Sequence, residues 1–84
     1  MSESDTTLVR SFGLGVRRLR EARGWSQEEL AEHSDLNRSF IGEIERGTVT
    51  PSLVTVAKLS QAFGLTPSVL VSHGEIPILM AIAG

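Results

Sequence analysis

Cysteine is absent from this 84-residue chain, so neither a disulfide nor a thiolate metal site can hold it together. Histidine is nearly absent too. His33 and His73 stand apart with no ligand cluster around them, and no metal or cofactor is expected. His33-Ser34-Asp35 contains triad residue types, but sequence neighbours cannot take up triad geometry, so no catalytic site is expected. No apolar run approaches the ~20 residues of a membrane span. The opening MSESDTTLVR lacks the basic and then apolar order of a secretory signal, and a soluble, cytoplasmic protein is the expectation. Basic surplus is also missing. A formal net charge of −2 argues against tight nonspecific attraction to a polyanion.

The distribution of charge says more than its sum. Arg10, Arg17, Arg18, Arg20 and Arg23 crowd the early part of the chain, whereas Glu28, Glu29, Glu32 and Asp35 follow close behind. A compact fold can therefore show one basic and one acidic face. One small domain is expected, with a marginal core unless its helices pack closely or chains pair.

The stretch SQEELAEHSDLNRSFIGEIERG, residues 26–47, reads as two short capped helices across a tight joint. Ser26 and Glu29 form a capping box that starts a helix at Gln27. Leu30, Ala31 and Ser34 give that helix a narrow buried stripe. After the polar joint Ser34-Asp35-Leu36-Asn37, Asn37 caps a further helix over Arg38–Arg46, and Gly47 supplies the left-handed stop. At ~100° per residue, Phe40, Ile41 and Ile44 fall on one arc, with Arg38, Ser39, Gly42, Glu43 and Arg46 on the other. A short helix with hydrogen-bonding side chains at its leading end, held out by a packed partner, suits the DNA major groove.

The rest of the chain reads as helices as well. Residues 1–5 form a polar, flexible end, and a first helix is expected from Thr6 or Thr7 to Arg23, with Leu8, Phe12, Val16 and Leu19 inward. Gly13 and Gly15 inside it point to irregularity or close packing. Gly13-Leu14-Gly15 is half a nucleotide-binding fingerprint, but Arg18 replaces the third glycine and no strand precedes it. Thr50 with Pro51 suggests the cap and first residue of a fourth helix, which presents Leu53, Val56, Ala57, Leu59 or Ser60, and Phe63. Thr66-Pro67 repeats the device for a fifth helix over residues 67–72, with Val69 and Leu70 inward. Residues 6–73 make one helix-turn-helix domain, and residues 74–84 an apolar tail.

Gly24-Trp25-Ser26-Gln27-x-x-Leu30-Ala31, followed by Ile41-x-x-Ile44-Glu45-Arg46-Gly47 and Thr50-Pro51-Ser52-Leu53, resembles the lambda-repressor-like (Xre, Cro/cI-type) DNA-binding domains over about residues 8–72. The resemblance implies an all-α, five-helix bundle with the helix-turn-helix in helices 2 and 3. It places base contacts on Asn37, Arg38, Ser39 and Glu43, with Arg38 fitted to guanine. Phosphate contacts are implied at Gln27, Arg46 and Thr48. Arg17 and Arg18 are either further phosphate contacts or a solvated face. Arg20 and Glu45 occupy the positions of an ion pair tying helix 1 to helix 3.

Three positions depart from the family pattern: Glu43 where a basic or amide residue is common, Phe40 where a smaller or hydroxylated one is, and Asp35 where a glycine is. The expected partners are double-stranded DNA and a second copy of the chain, the latter through Ile76, Ile78, Leu79 and Met80 of the tail. The function implied is a transcriptional regulator acting as a homodimer on an operator, with a repressor as the type. The rival is a protein-interaction module, antitoxin-like or partner-docking, on the same scaffold.

Overall fold

Short-range capping chemistry sets most helix ends. The computed structural model describes residues 3–73, which form α1 (Glu3–Ala22), α2 (Gln27–Ser34), α3 (Arg38–Arg46), α4 (Leu53–Phe63) and α5 (Pro67–His73), with no strand among them. Ser26 Oγ accepts from the Glu29 amide and the Glu29 carboxylate accepts from the Ser26 amide, both at 3.0 Å. Asn37 Oδ1 accepts from the Ser39 amide at 2.7 Å. Gly47 ends α3 at φ 73°, and Gly64 ends α4 at φ 70°. Thr66 Oγ1 accepts from the Val69 amide at the start of α5.

Asp35 takes the left-handed conformation (φ 55°) that closes α2. A short polar side chain tolerates this better than most. Lys58 reaches from α4 to this turn, with Nζ 3.5 Å from the Asp35 carbonyl and 3.8 Å from its carboxylate.

Five features differ from the sequence reading. The helix α1 begins at Glu3, ahead of the Thr6 start and inside the polar end assigned to residues 1–5, because neither proline nor glycine interrupts the run before Gly13. On its inner face Val9 is buried and Leu8 is 41% exposed, since two adjacent apolar residues cannot both lie on one helical stripe. Ser52, not Thr50, caps α4 by accepting from the Thr55 amide at 3.1 Å, so Pro51 precedes the helix instead of opening it. Leu53 in the first turn of α4 is 87% exposed and Ala57 also lies outside the core, while Val56 between them is buried. In α5 only Leu70 is fully buried, and Val69 faces out.

The core gathers Phe12 and Val16 of α1, Leu30 and Ala31 of α2, Ile41 and Ile44 of α3, Val56, Leu59 and Phe63 of α4, and Leu70 of α5. Ser34 sits among them because its hydroxyl donates to the Leu30 carbonyl at 2.6 Å, which satisfies a buried polar group within its own helix. Trp25 closes one end, stacked on His33 at 4.1 Å and on Phe63 at 5.8 Å between ring centroids.

Hydrogen bonds from the Ser26 backbone and then its hydroxyl hold the Glu29 carboxyl below its ordinary pKa. A carboxylate more acidic folded than unfolded contributes stability that is complete above its unfolded pKa and is lost as pH falls through its folded value. The expected result is that between about pH 5 and pH 3 the wild type loses more thermal stability than Glu29→Gln does. Parallel melting curves for the two would contradict it.

Candidate nucleic-acid interface

The position of α3 is set by α1, which crosses it closely. At Gly13 an added Cβ would fall on the carbonyl oxygen of Ile44, with the Glu45 carbonyl oxygen only 3.1 Å away. Further along, Gly47 lies against Arg10, whose Cα would be 2.9 Å from a Cβ there. The two glycines let backbone meet side chain and backbone directly.

A buried ion pair fastens the same two helices. Arg20 Nε donates to Glu45 Oε2 at 2.7 Å and a terminal nitrogen donates to Oε1 at 3.0 Å, while its other terminal nitrogen donates to the Trp25 carbonyl at 2.8 Å. The side chains are 13% and 4% exposed. Chiefly through these hydrogen bonds, and against the effect of burial, Glu45 holds the Arg20 guanidinium proton more firmly than usual. Gln27, at the start of α2, donates from Nε2 to Glu45 Oε1 at 3.1 Å. One carboxylate thus joins three helices.

Opposite the core, α3 presents a depression of about 510 Å³ lined by Gln27, Arg38, Ser39, Gly42, Glu43, Arg46 and Thr48. Six of the residues read from the sequence as DNA contacts are gathered here. Arg38, Ser39, Arg46 and Thr48 are exposed, whereas Gln27 and Glu43 are half-buried. Asn37 lies outside the lining, with its side-chain oxygen engaged in the helix cap. Arg17 and Arg18 are exposed on α1 and also lie outside it, and Arg17 pairs with Glu21 at 3.5 Å. The Thr48 hydroxyl donates to the Glu43 carbonyl at 3.2 Å, so its proton is already used at the end of α3. Gly42 is the one lining residue with no role in the sequence reading. It was placed on the polar arc, but it is buried, covered by longer neighbours.

Among the described residues no group of three or more His, Cys, Asp or Glu could hold a metal ion, and no single helix is long and apolar enough to cross a membrane. Ile76, Ile78, Leu79 and Met80 lie outside the described residues.

Two capped helices across a left-handed turn, the second showing a polar face away from the core, define a helix-turn-helix domain. Residues 16–70 match the helix-turn-helix family HTH_3, and the chain belongs to it. The control protein C.BamHI of Bacillus amyloliquefaciens is 44% identical over 66 residues, which span 77% of this chain and 82% of that protein. The immunity repressor protein of Bacillus phage phi105 is 36% identical over 75% of this chain but only 44% of its own length, so this chain corresponds to less than half of it. The crystal structure of the restriction-modification controller protein C.AhdI from Aeromonas hydrophila superposes with a TM-score of 0.70 at 48% identity, covering 75% of this chain and 94% of that one. The lambda-repressor-like resemblance drawn from the sequence agrees with all three.

Proposed function

We propose that this protein is a sequence-specific DNA-binding regulator of transcription that acts as a homodimer on an operator, with α3 in the major groove. The observation that carries the reading is the depression on the outer side of α3, where arginines, a hydroxyl and a carboxylate converge on one polar surface. Such groups match base edges and phosphates. Its similarity to a control protein and to an immunity repressor supports the regulatory role and does not favour the partner-docking alternative. The reading assigns the chain no catalysis and no cofactor.

Within that reading, the planar fork of Arg38 meets guanine O6 and N7. Glu43 accepts from cytosine N4, and Ser39 and Asn37 contribute neighbouring base contacts. Arg46, Gln27 and Thr48 hold phosphates, with Arg17 and Arg18 as outlying cations. Thr48 must exchange its bond to the Glu43 carbonyl to donate there. Ile76, Ile78, Leu79 and Met80 pair two copies, because an apolar tail on so small a domain marks an interface. Twofold pairing then places half-sites ~34 Å apart, one turn of the duplex.

The test compares two variants on duplexes selected from a random pool and on scrambled controls. Arg38→Ala is expected to relax preference at one base position by about 1–3 kcal/mol, some 5- to 150-fold. Arg46→Ala is expected to weaken binding to every sequence and to reduce the salt slope by about 1. Identical behaviour of the two variants on matched and scrambled DNA refutes the groove assignment. Sedimentation of the wild type tests the dimer, and a monomer at the concentration where it binds DNA refutes the pairing.

A further inference from the structure

Four glycines of this chain are explained by the fold. Gly13 has the Ile44 carbonyl against it, Gly47 combines a positive φ with the close approach of Arg10, and Gly24 and Gly64 take positive φ in open space. Gly42 has none of these reasons. It sits in the middle of the 9-residue helix α3, with no positive φ, and no backbone atom is among the atoms nearest to where its Cβ would be. Alanine is the better helix former at such a position. A residue that folding alone would replace is a candidate for a functional role.

What covers Gly42 shows that role. A Cβ there would lie 3.0 Å from a terminal nitrogen of Arg46 and 3.7 Å from both the Arg46 guanidinium carbon and Gln27 Oε1. Arg46 therefore folds back one turn along α3, over the bare Cα of Gly42. The orientation of the Gln27 amide follows from its other partner. A carboxylate only accepts hydrogen bonds, so Nε2 faces Glu45, and Oε1 lies 3.7 Å from where a Gly42 Cβ would be.

Resting on the DNA-binding reading above, we infer that Gly42 is a positioning residue that lets the Arg46 guanidinium lie over the middle of α3, where it grips one phosphate. The missing side chain makes room for the guanidinium. Any side chain at position 42 pushes the guanidinium outward, and because the displaced atoms are the far end of a flexible arginine, the fold itself is not strained.

The decisive measurement is the affinity of wild type, Gly42→Ala, Arg46→Ala and the double variant for the duplex that the wild type selects from a random pool, read by fluorescence anisotropy over a range of salt. Gly42→Ala should melt about 4 °C or more above the wild type. It should nevertheless bind about tenfold more weakly, with the salt slope reduced by about 1. Gly42→Ala/Arg46→Ala should bind no more weakly than Arg46→Ala alone. Wild-type affinity and slope in Gly42→Ala overturn the inference. So does an unchanged slope with lost preference at one base pair, which would seat a base edge over Gly42 instead. If the wild type selects no duplex at all, the DNA-binding reading itself has failed, a result distinct from either.

Discussion

Glu45→Ala should lower the unfolding free energy by about 3–5 kcal/mol. A chain of 84 residues has only about 4–13 kcal/mol in total. Glu45 is 4% exposed and accepts from two nitrogens of Arg20 and from Gln27. Its removal leaves a guanidinium, itself 13% exposed, with the Trp25 carbonyl as its remaining partner. An isolated buried charge is more damaging than a missing pair. The double variant Arg20→Met/Glu45→Leu should therefore be more stable than Glu45→Ala, although it lacks both charges. Urea unfolding of the three proteins decides the matter. A loss below about 1 kcal/mol in Glu45→Ala would mean that the pair behaves as an exposed one.

Gly13→Ala should destabilise by about 2 kcal/mol or more, the balance of overpacking against the ~1 kcal/mol that alanine gains in a helix. The atoms in the way are the carbonyl carbon and oxygen of Ile44 and the carbonyl oxygen of Glu45, which are backbone and cannot swing aside. Relief requires α1 and α3 to separate, so the same substitution should also weaken DNA binding by displacing the face of α3 proposed to meet it. A melting temperature lower by about 8 °C or more is the expected readout. Unchanged melting would show that the two helices do not approach so closely in solution. Gly13→Ala and Gly42→Ala thus make opposite predictions for stability, although both put a methyl group into a helix.

The parts of the fold that local chemistry determines were legible in the chain. The Ser26–Glu29 box, the Asn37 cap and the stop at Gly47 depend on groups a few residues apart, and their bonds are those the sequence suggests. Local rules could not choose between two adequate caps, Thr50 and Ser52, because that choice depends on how α4 packs. The same applies to Leu8 and Val9, which differ by about 100° around α1. Gly13 pointed to irregularity or close packing without naming the partner, since the Ile44 carbonyl that it approaches belongs to another helix.

The polar face of α3 was legible to a similar depth. A helical wheel separates Arg38, Ser39, Glu43 and Arg46 from the buried arc, and the depression gathers all four. A wheel cannot show one side chain lying across another position. The covering of Gly42 by Arg46 and the orientation of Gln27 by Glu45 appear only with coordinates. Arg17 and Arg18, which the sequence left as phosphate contacts or a solvated face, lie outside the depression.

The 9 residues of α3 extend about 13 Å. Bases stack every ~3.4 Å, so a helix of that length passes about four of them. A four-letter word recurs by chance about once in 250 positions, while a genome offers on the order of a million or more competing sites. On the proposed reading, the brevity of this one helix therefore caps the information that a single copy can extract, and a second copy at a neighbouring half-site would lengthen the genomic address.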